Sequence, residues 1–425
     1  MYRLVQRRGI IGLFCLLFVA SSVVPGWAQK DNRFEVSKNL DIFNSLLKEV
    51  EMFYVDSVDV DKTVQRGIEA MLAGLDPYTE YYPEQKTEEL SLMTTGEYGG
   101  IGSLIRQRNN EGGVMIAEPT EGMPADLAGL KPGDLILAID TIDVSKATNS
   151  RVSELLKGVP NTKMVLTIQR PGEKKPRKFE ITRKQITTPQ VTYYGVKNDS
   201  IGYIYLKAFT IKSAQEVKEA FLDLKKNHNI KSLVLDLRGN GGGVLEGAVQ
   251  IVGMFVPKGS EVLSTKGKIK QWDRTYRTST EPLDTVMPLA ILINGGTASA
   301  AEIVSGSLQD MDRAVLVGQR SFGKGLVQAP RDLPYNGKVK ITMSKYYIPS
   351  GRCIQQIDYS HRKEDGSVAA IPDSLTSVFY TSKKRPVRDG GGVRPEFEVK
   401  EPKVPTMMYY FCLLYTSPSP RDKRQ

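Results

Sequence analysis

From Phe34 to Tyr54, apolar residues recur at Leu40, Phe43, Leu46, Leu47 and Val50, the spacing of one face of an amphipathic helix. The run DKTVQRGIEAMLAGL repeats that pattern, and the DPYTEYY after it begins on a turn signal. Between Gly96 and Lys184 the pattern becomes short and alternating. IGSLIRQ, GVMIAEP, DLILAID, MVLTIQR and KFEITRK read as strands there, with ADLAGL and NSRVSELLKG as helical patches between them. From Ile201 onward strands alternate with helices. IGYIYLKAF leads to a helix from Ser213 to His228, then to the strand KSLVLDL, the loop RGNGGG and a helix from Val244 to Val256. PLAILIN, the helical TASAAEIVSGSL and the strand AVLVG continue the alternation, which predicts an α/β class. KVKITMSKYYIPSGRCIQ reads as a long strand and turn, and GGGVRPEFEV as a closing strand.

The two ends depart from this pattern. Basic MYRLVQRR, apolar GIIGLFCLLFVA and then SSVVPGWAQK form a targeting segment, with small residues at Gly26 and Ala28 marking a cut after Ala28. An uncleaved anchor is the alternative, but the apolar run is short of the roughly 20 residues a spanning helix needs. At the far end a nine-residue apolar-aromatic run, Met407 to Tyr415, precedes a polar tail rich in Pro, Ser and Arg. That tail reads as truncated or foreign, and Cys412 within it is given no role.

The chain has 425 residues, room for two or three domains with substantial cores. Three of its ten net positive charges are Arg3, Arg7 and Arg8, so removal of the leader leaves +7. That excess suits an anionic envelope surface and peripheral association with a membrane. The charges are scattered without interleaved aromatics, so the pattern gives no support to nucleic-acid binding. With Cys15 inside the apolar leader, only Cys353 and Cys412 remain, too few for a disulfide framework.

Chemistry concentrates between Asn294 and Gln328. The strand PLAILIN passes through Gly295 and Gly296 into a helical pattern, which places Ser299 at a helix N-terminus, where unpaired N–H groups favour developing negative charge. A second short strand follows, then the glycine-bracketed Lys324 of FGKG, then Gln328. Serine, lysine and a polar orienting residue are the parts of a Ser-Lys hydrolase. Taken singly, each has a plainer reading: a capping serine, a solvated turn lysine, an exposed strand glutamine.

Other chemistries fit less well. Gly318 to Lys324 matches a phosphate loop, but Gly325 stands where a Mg-binding Ser or Thr is needed, and Pro330 disfavours the helix that would follow. A dinucleotide fingerprint fails at Val244. A Ser-His triad has only His228 and His361 to draw on, His-Glu-x-x-His is absent, and Ser-x-x-Lys fails because Glu302 stands three residues after Ser299. No cofactor and no metal are called for.

The runs DLRGNGGG, TASAAEI, RSFGKGLVQ and YYIPSGRCIQ, in this order, resemble the C-terminal processing peptidases, or tail-specific proteases. The resemblance extends from about Phe34 to about Pro405. GLKPGDLILAID with the glycine-rich GEYGGIG resembles a PDZ domain inserted ahead of the protease half. The division implied is 1–28 signal peptide, 29–92 N-terminal helical region, 93–185 PDZ domain, 186–405 protease core and 406–425 irregular tail. The protease core is expected to have the crotonase- or Clp-like α/β architecture of the family.

Site roles follow from the same resemblance. Ser299 is the nucleophile, Lys324 its base and Gln328 the group that orients the lysine amine. The Gly242 and Ala300 N–H groups form an oxyanion hole, with Gly243 an adjacent candidate, and Asp310 is a supporting polar residue or simply a helix terminator. A lysine is a base only when neutral, and its usual pKa is about 10.4, so the site must desolvate it; Phe322, Leu326 and Val327 are the apolar neighbours in sequence.

In the PDZ module, Gly99, Gly100, Ile101 and Gly102 are candidates to hold a substrate's terminal carboxylate, and Ile101 with Leu104 to line a side-chain pocket. The expected partners are peptides and proteins with free C-termini, met outside the cytoplasm in the periplasm or at the outer face of the membrane. The leading helices serve either a homodimer or a packed cap on the same chain. The rival from another class is a noncatalytic PDZ scaffold with a protease-like shell.

Overall fold

The computed structural model describes residues 33–108, 112–400 and 407. The proposed leader, its cleavage site, Cys15, Cys412 and nearly all of the C-terminal run lie outside the described residues. The chain divides into two compact units, residues 1–70 and 71–425. The first contains helix α1 (Arg33–Phe53), none of whose residues is buried, and most of α2 (Val60–Ala73).

The second unit opens with strand β1 (Glu80–Tyr82) and helix α3 (Thr87–Thr95), and then builds the small module. A ribbon of β2 (Glu97–Gly100) leads into β3 (Ser103–Gln107), β4 (Val114–Pro119), β5 (Leu135–Ile139), helix α4 (Asn149–Leu156), β6 (Lys163–Gln169), β7 (Arg177–Thr182) and β8 (Lys184–Thr187). Strands β3 to β7 form an antiparallel sheet in sequence order, with a two-residue strand at Ile142–Asp143 pairing with β5, while β2 pairs with β8. Alternation accounts for its core: Val114, Ile116, Ile136, Met164, Leu166, Ile168 and Ile181 turn inward and are buried. β3 lies at the sheet's edge, with α4 packed beside it.

The larger part is two sheets around one core. The first has the order β9 (Val191–Lys197), β10 (Ile201–Leu206), β11 (Ser232–Asp236), β14 (Leu289–Ile293), β15 (Val315–Gly318) and β18 (Phe397–Glu398), and is parallel except for the β9–β10 pair. Helices α5 (Ser213–Asn227), α6 (Leu245–Gly253) and α7 (Ala300–Asp310) make the connections. The second sheet has the order β1, β17 (Lys338–Tyr347), β12 (Glu261–Gly267) and β13 (Arg274–Arg277), with β16 (Leu326–Asp332) pairing with β17.

All eleven residues of α7 are buried. Its small residues permit this: a Cβ on Gly306 would come within 2.8 Å of Ile348 Cδ1, and the Ser305 and Ser307 hydroxyls donate to the Ala301 and Val262 carbonyls. Three neighbouring strands, β11, β14 and β15, therefore end side by side along the face of this buried helix's N-terminus. Their carboxyl ends are where an open α/β sheet places a ligand crevice.

Candidate active site

Each of those three strands delivers one of the expected groups. β11 ends at Asp236 and runs into the loop carrying Gly242, β14 ends at Ile293 and runs into the loop carrying Ser299, and β15 ends at Gly318 and runs into the loop carrying Lys324. The loops are knitted together. Thr297 Oγ1 donates to the Leu237 carbonyl at 2.8 Å, Gly239 N–H to Asn294 Oδ1 at 2.8 Å, Ala298 N–H to the Asn240 carbonyl at 2.9 Å, and Phe322 N–H to the Thr297 carbonyl at 2.9 Å. Polar residues in NGGT and RGNG, ordinary turn formers by sequence, here close one loop on the next.

Ser299 is the N-cap of α7, with φ 54° and ψ −116°. A non-glycine residue there carries strain of about 1–3 kcal/mol and persists only where surrounding contacts impose it. Those contacts are identifiable. Ser299 N–H donates to Glu302 Oε2 at 2.8 Å, its carbonyl accepts from the Glu302 N–H at 2.8 Å and from the buried Tyr346 hydroxyl at 3.3 Å, and Gly242 presses against it. A Cβ on Gly242 would sit 2.7 Å from both the Ala298 carbonyl oxygen and Ser299 Cβ, and its φ of 94° also calls for glycine.

Glu302 joins the nucleophile to the lysine loop. This carboxylate is fully buried and accepts from the Ser299, Gly323 and Lys324 N–H groups at 2.8, 2.7 and 2.8 Å and from the Ser321 hydroxyl at 2.5 Å. Burial pushes its carboxyl up to about 7, and the four donors resist the rise because each favours the ionised form. From sequence, Glu302 serves only to exclude Ser-x-x-Lys. A capping-box glutamate three residues after a candidate nucleophile is the signal that could have found it.

Lys324 is mostly buried, and its pKa is lowered to about 8, chiefly by desolvation and next by the neighbouring Lys340 charge; Glu80, Asp76 and Glu302 oppose the shift. Phe322, its apolar neighbour in sequence, is 42% exposed. The ring beside its ammonium is Tyr78, with Nζ 4.3 Å from the centroid. Tyr78 belongs to DPYT, which from sequence reads only as a turn. Gln328 Nε2 donates to Thr342 Oγ1 at 3.1 Å, which leaves Oε1 as the amide's free acceptor. A cavity of about 910 Å³ is lined by Asp76, Leu326, Thr342, Cys353, Tyr359 and Ile371 among others, but not by Ser299, Lys324 or Gln328.

Two further expected residues have partners of their own. Gly242 lies against Ser299 and Ala300, but its N–H donates to Asn240 Oδ1 at 2.9 Å, because Asn240 folds its side chain onto the backbone two residues on. Among the described residues the Ala300 and Gly243 N–H groups have no protein partner. Asp310 supports the fold: its carboxylate accepts from Arg352 at 2.8 Å and the Ser350 N–H at 3.0 Å, and both members of the ion pair are buried. His228 and His361 are each tied to an aspartate of their own, Asp223 and Asp358, and neither bonds Ser299.

In the small module, Gly99 and Gly100 are strand residues paired with Gln185 and Lys184, so the four-residue loop shrinks to Ile101 and Gly102. The N–H groups of those two have no intramolecular partner among the described residues. Ile101 is buried in the module's core, while Leu104 is 57% exposed on the edge strand.

With this geometry in place, sequence-family profiles match a PDZ domain at residues 115–170 and peptidase family S41 at residues 200–360. The chain is 36% identical over 345 residues to a carboxy-terminal-processing protease of Bartonella bacilliformis, covering 80% of this chain and 77% of the relative. It is 33% identical over 320 residues to a "Probable CtpA-like serine protease" of Staphylococcus aureus strain COL, covering 74% of this chain and 62% of the relative. Among solved structures, a photosystem II D1 C-terminal processing protease is 26% identical, with 87% of this chain and 90% of that chain covered at a TM-score of 0.43.

Proposed function

Because the chain belongs to peptidase family S41 and is a serine-type peptidase, we propose that Ser299 and Lys324 form its catalytic pair, with Gln328 orienting the lysine. The observation that carries this reading is the lysine held desolvated on a loop that Glu302 ties to the strained serine. Neutral Lys324 Nζ takes the Ser299 Oγ proton as Oγ attacks the peptide carbonyl. The Ala300 and Gly243 N–H groups receive the oxyanion. The C–N bond then breaks, Lys324 returns the proton to the leaving amine, and water hydrolyses the acyl ester by the same route in reverse.

Substrate choice is assigned to the PDZ domain. The Ile101 and Gly102 N–H groups take the terminal carboxylate, and the free edge of β3 pairs with the preceding residues beside exposed Leu104. The substrates are thus chains ending in a free carboxylate after small or apolar residues. The family reading extends to a crotonase- or Clp-like protease half, export by the N-terminal segment, work in the periplasm or at the outer face of the cytoplasmic membrane, peripheral membrane association, and a homodimer through helices such as α1. That helix exposes Leu40, Phe43 and Leu46.

A matched pair of peptides, one with a free apolar C-terminus and one amidated, tests both halves of the proposal against a Ser299→Ala control. Faster cleavage of the free-ended peptide and none by the variant is expected. Equal cleavage of the two would refute tail recognition, cleavage by Ser299→Ala at the parent rate would refute Ser299 as the nucleophile, and no cleavage of either peptide by the parent would return the chain to the rival reading of a noncatalytic scaffold.

A further inference from the structure

The lysine does not rest against the serine. Its Nζ lies over the face of Tyr78, and among the described residues no hydrogen bond joins it to Ser299 Oγ or to Gln328. We propose that the Tyr78 ring is a positioning element for the base, holding the ammonium form away from Ser299 and releasing the neutral amine to it. This inference rests on the Ser299–Lys324 reading above.

The physical ground is selectivity. An aromatic face carries partial negative charge and attracts a cation, whereas a neutral amine gains little from it. The event that makes Lys324 a base therefore also removes its reason to stay on the ring. Below that transition the ring competes with the reaction, and above it the amine is free to turn toward Oγ.

The ring is firmly placed. Tyr78 and Thr79 N–H groups both donate to Asp76 Oδ1 at 2.8 Å, and Thr79 Oγ1 donates to Asp76 Oδ2 at 3.0 Å. Thr342, whose hydroxyl is Gln328's partner, donates its N–H to Thr79 Oγ1 at 3.2 Å. Glu80, Tyr81 and Tyr82 continue as β1 against Lys340, Val339 and Lys338 of β17. Tyr359 packs edge-on against Tyr78, with centroids 6.0 Å apart and planes at 89°.

The charged groups facing Lys324 are Lys340 on β17, Glu80 on β1, Asp76 in the turn and Glu302 on α7. Lys340 disfavours the ammonium, the three acids favour it, and Lys340 is itself paired with Glu80. Substitutions that alter only the ring's electron density leave all four in place.

The test replaces Tyr78 in the full chain by Phe and then by mono-, di- and trifluorophenylalanine, which drain charge from the face at nearly constant shape. The acid limb of kcat/KM is read for each on one peptide substrate. Phe should leave the limb where the parent has it, and the fluorinated series should move it stepwise downward, by about 0.4 to 1.5 pH units in total. A limb that stays fixed along the series, with or without loss of rate, would overturn the proposal, since a ring that only packs would change rate alone. Lys324→Ala is assayed alongside. If it is inactive while the limb stays fixed, the Ser-Lys reading stands and the role of Tyr78 falls; if it is fully active, both fall.

Discussion

The loops that carry Ser299 and Lys324 leave adjacent parallel strands and share one anchor, Glu302, yet they control their side chains in opposite ways. Ser299 has a short side chain, so its hydroxyl goes where the backbone puts it. That backbone is fixed in a strained conformation by Glu302, Tyr346 and Gly242. Lys324 has an equally fixed backbone, its N–H on Glu302, but the tip of its long side chain lies over a ring face among three acids that attract it and Lys340, which repels it. On the proposed roles, the nucleophile is thus preorganised by contacts to its backbone, and the base by its electrostatic surroundings.

The contrast is broken most severely by removing the base. Lys324→Ala is expected to lower kcat roughly ten-thousand-fold or more, because members of such a pair act as a unit, while a thermal melt stays close to the parent's, since no hydrogen bond of the ammonium is lost. Glu302→Gln strikes both loops at once. An amide replaces one acceptor oxygen by a donor, set either against the Ser299 and Lys324 N–H groups or against the Gly323 N–H and the Ser321 hydroxyl, so a stability loss of about 1–3 kcal/mol is expected for each donor left unmet, read by denaturant titration. The accompanying misplacement of serine and lysine should lower kcat about a hundredfold.

Gln328→Ala sharpens the contrast by touching only the lysine's freedom. Its loss should be about tenfold in kcat, the worth of one hydrogen bond, with KM nearly unchanged in steady-state assays. If Gln328→Ala proved as damaging as Lys324→Ala, the amide rather than the ring would govern where the amine sits.

Much of this was legible in the sequence because it is local. The alternation of MVLTIQR and KFEITRK matches the strands Lys163–Gln169 and Arg177–Thr182, and the helix expected from Ser213 to His228 runs to Asn227. A strand, two glycines and a helical pattern sufficed to put Ser299 at an N-cap. What was hidden depends on pairs distant in the chain. Tyr78 meets Lys324, and Thr79 meets Thr342, only after β1 joins β17, and a turn signal in DPYT says nothing about that sheet. The Gly242 donor escapes the sequence for a different reason. RGNGGG offers several adjacent N–H groups, and only the folded loop reveals that Asn240 has already claimed one. Gly99 and Gly100 look like a loop because glycine marks turns, whereas here they are strand residues of a ribbon whose partner lies some 85 positions away.

The claim that a neutral Lys324 activates Ser299 can be tested without any substrate preference, by following covalent labelling of Ser299 with a fluorophosphonate as a function of pH. Lys324 is neutral above its pKa, so the labelling rate should rise as pH increases and turn over near the lysine's value of about 8, and Lys324→Ala should be slow and flat across the same range. A Lys324→Ala protein that labels at the parent rate, or a parent whose labelling falls as pH rises through neutrality, would contradict the account.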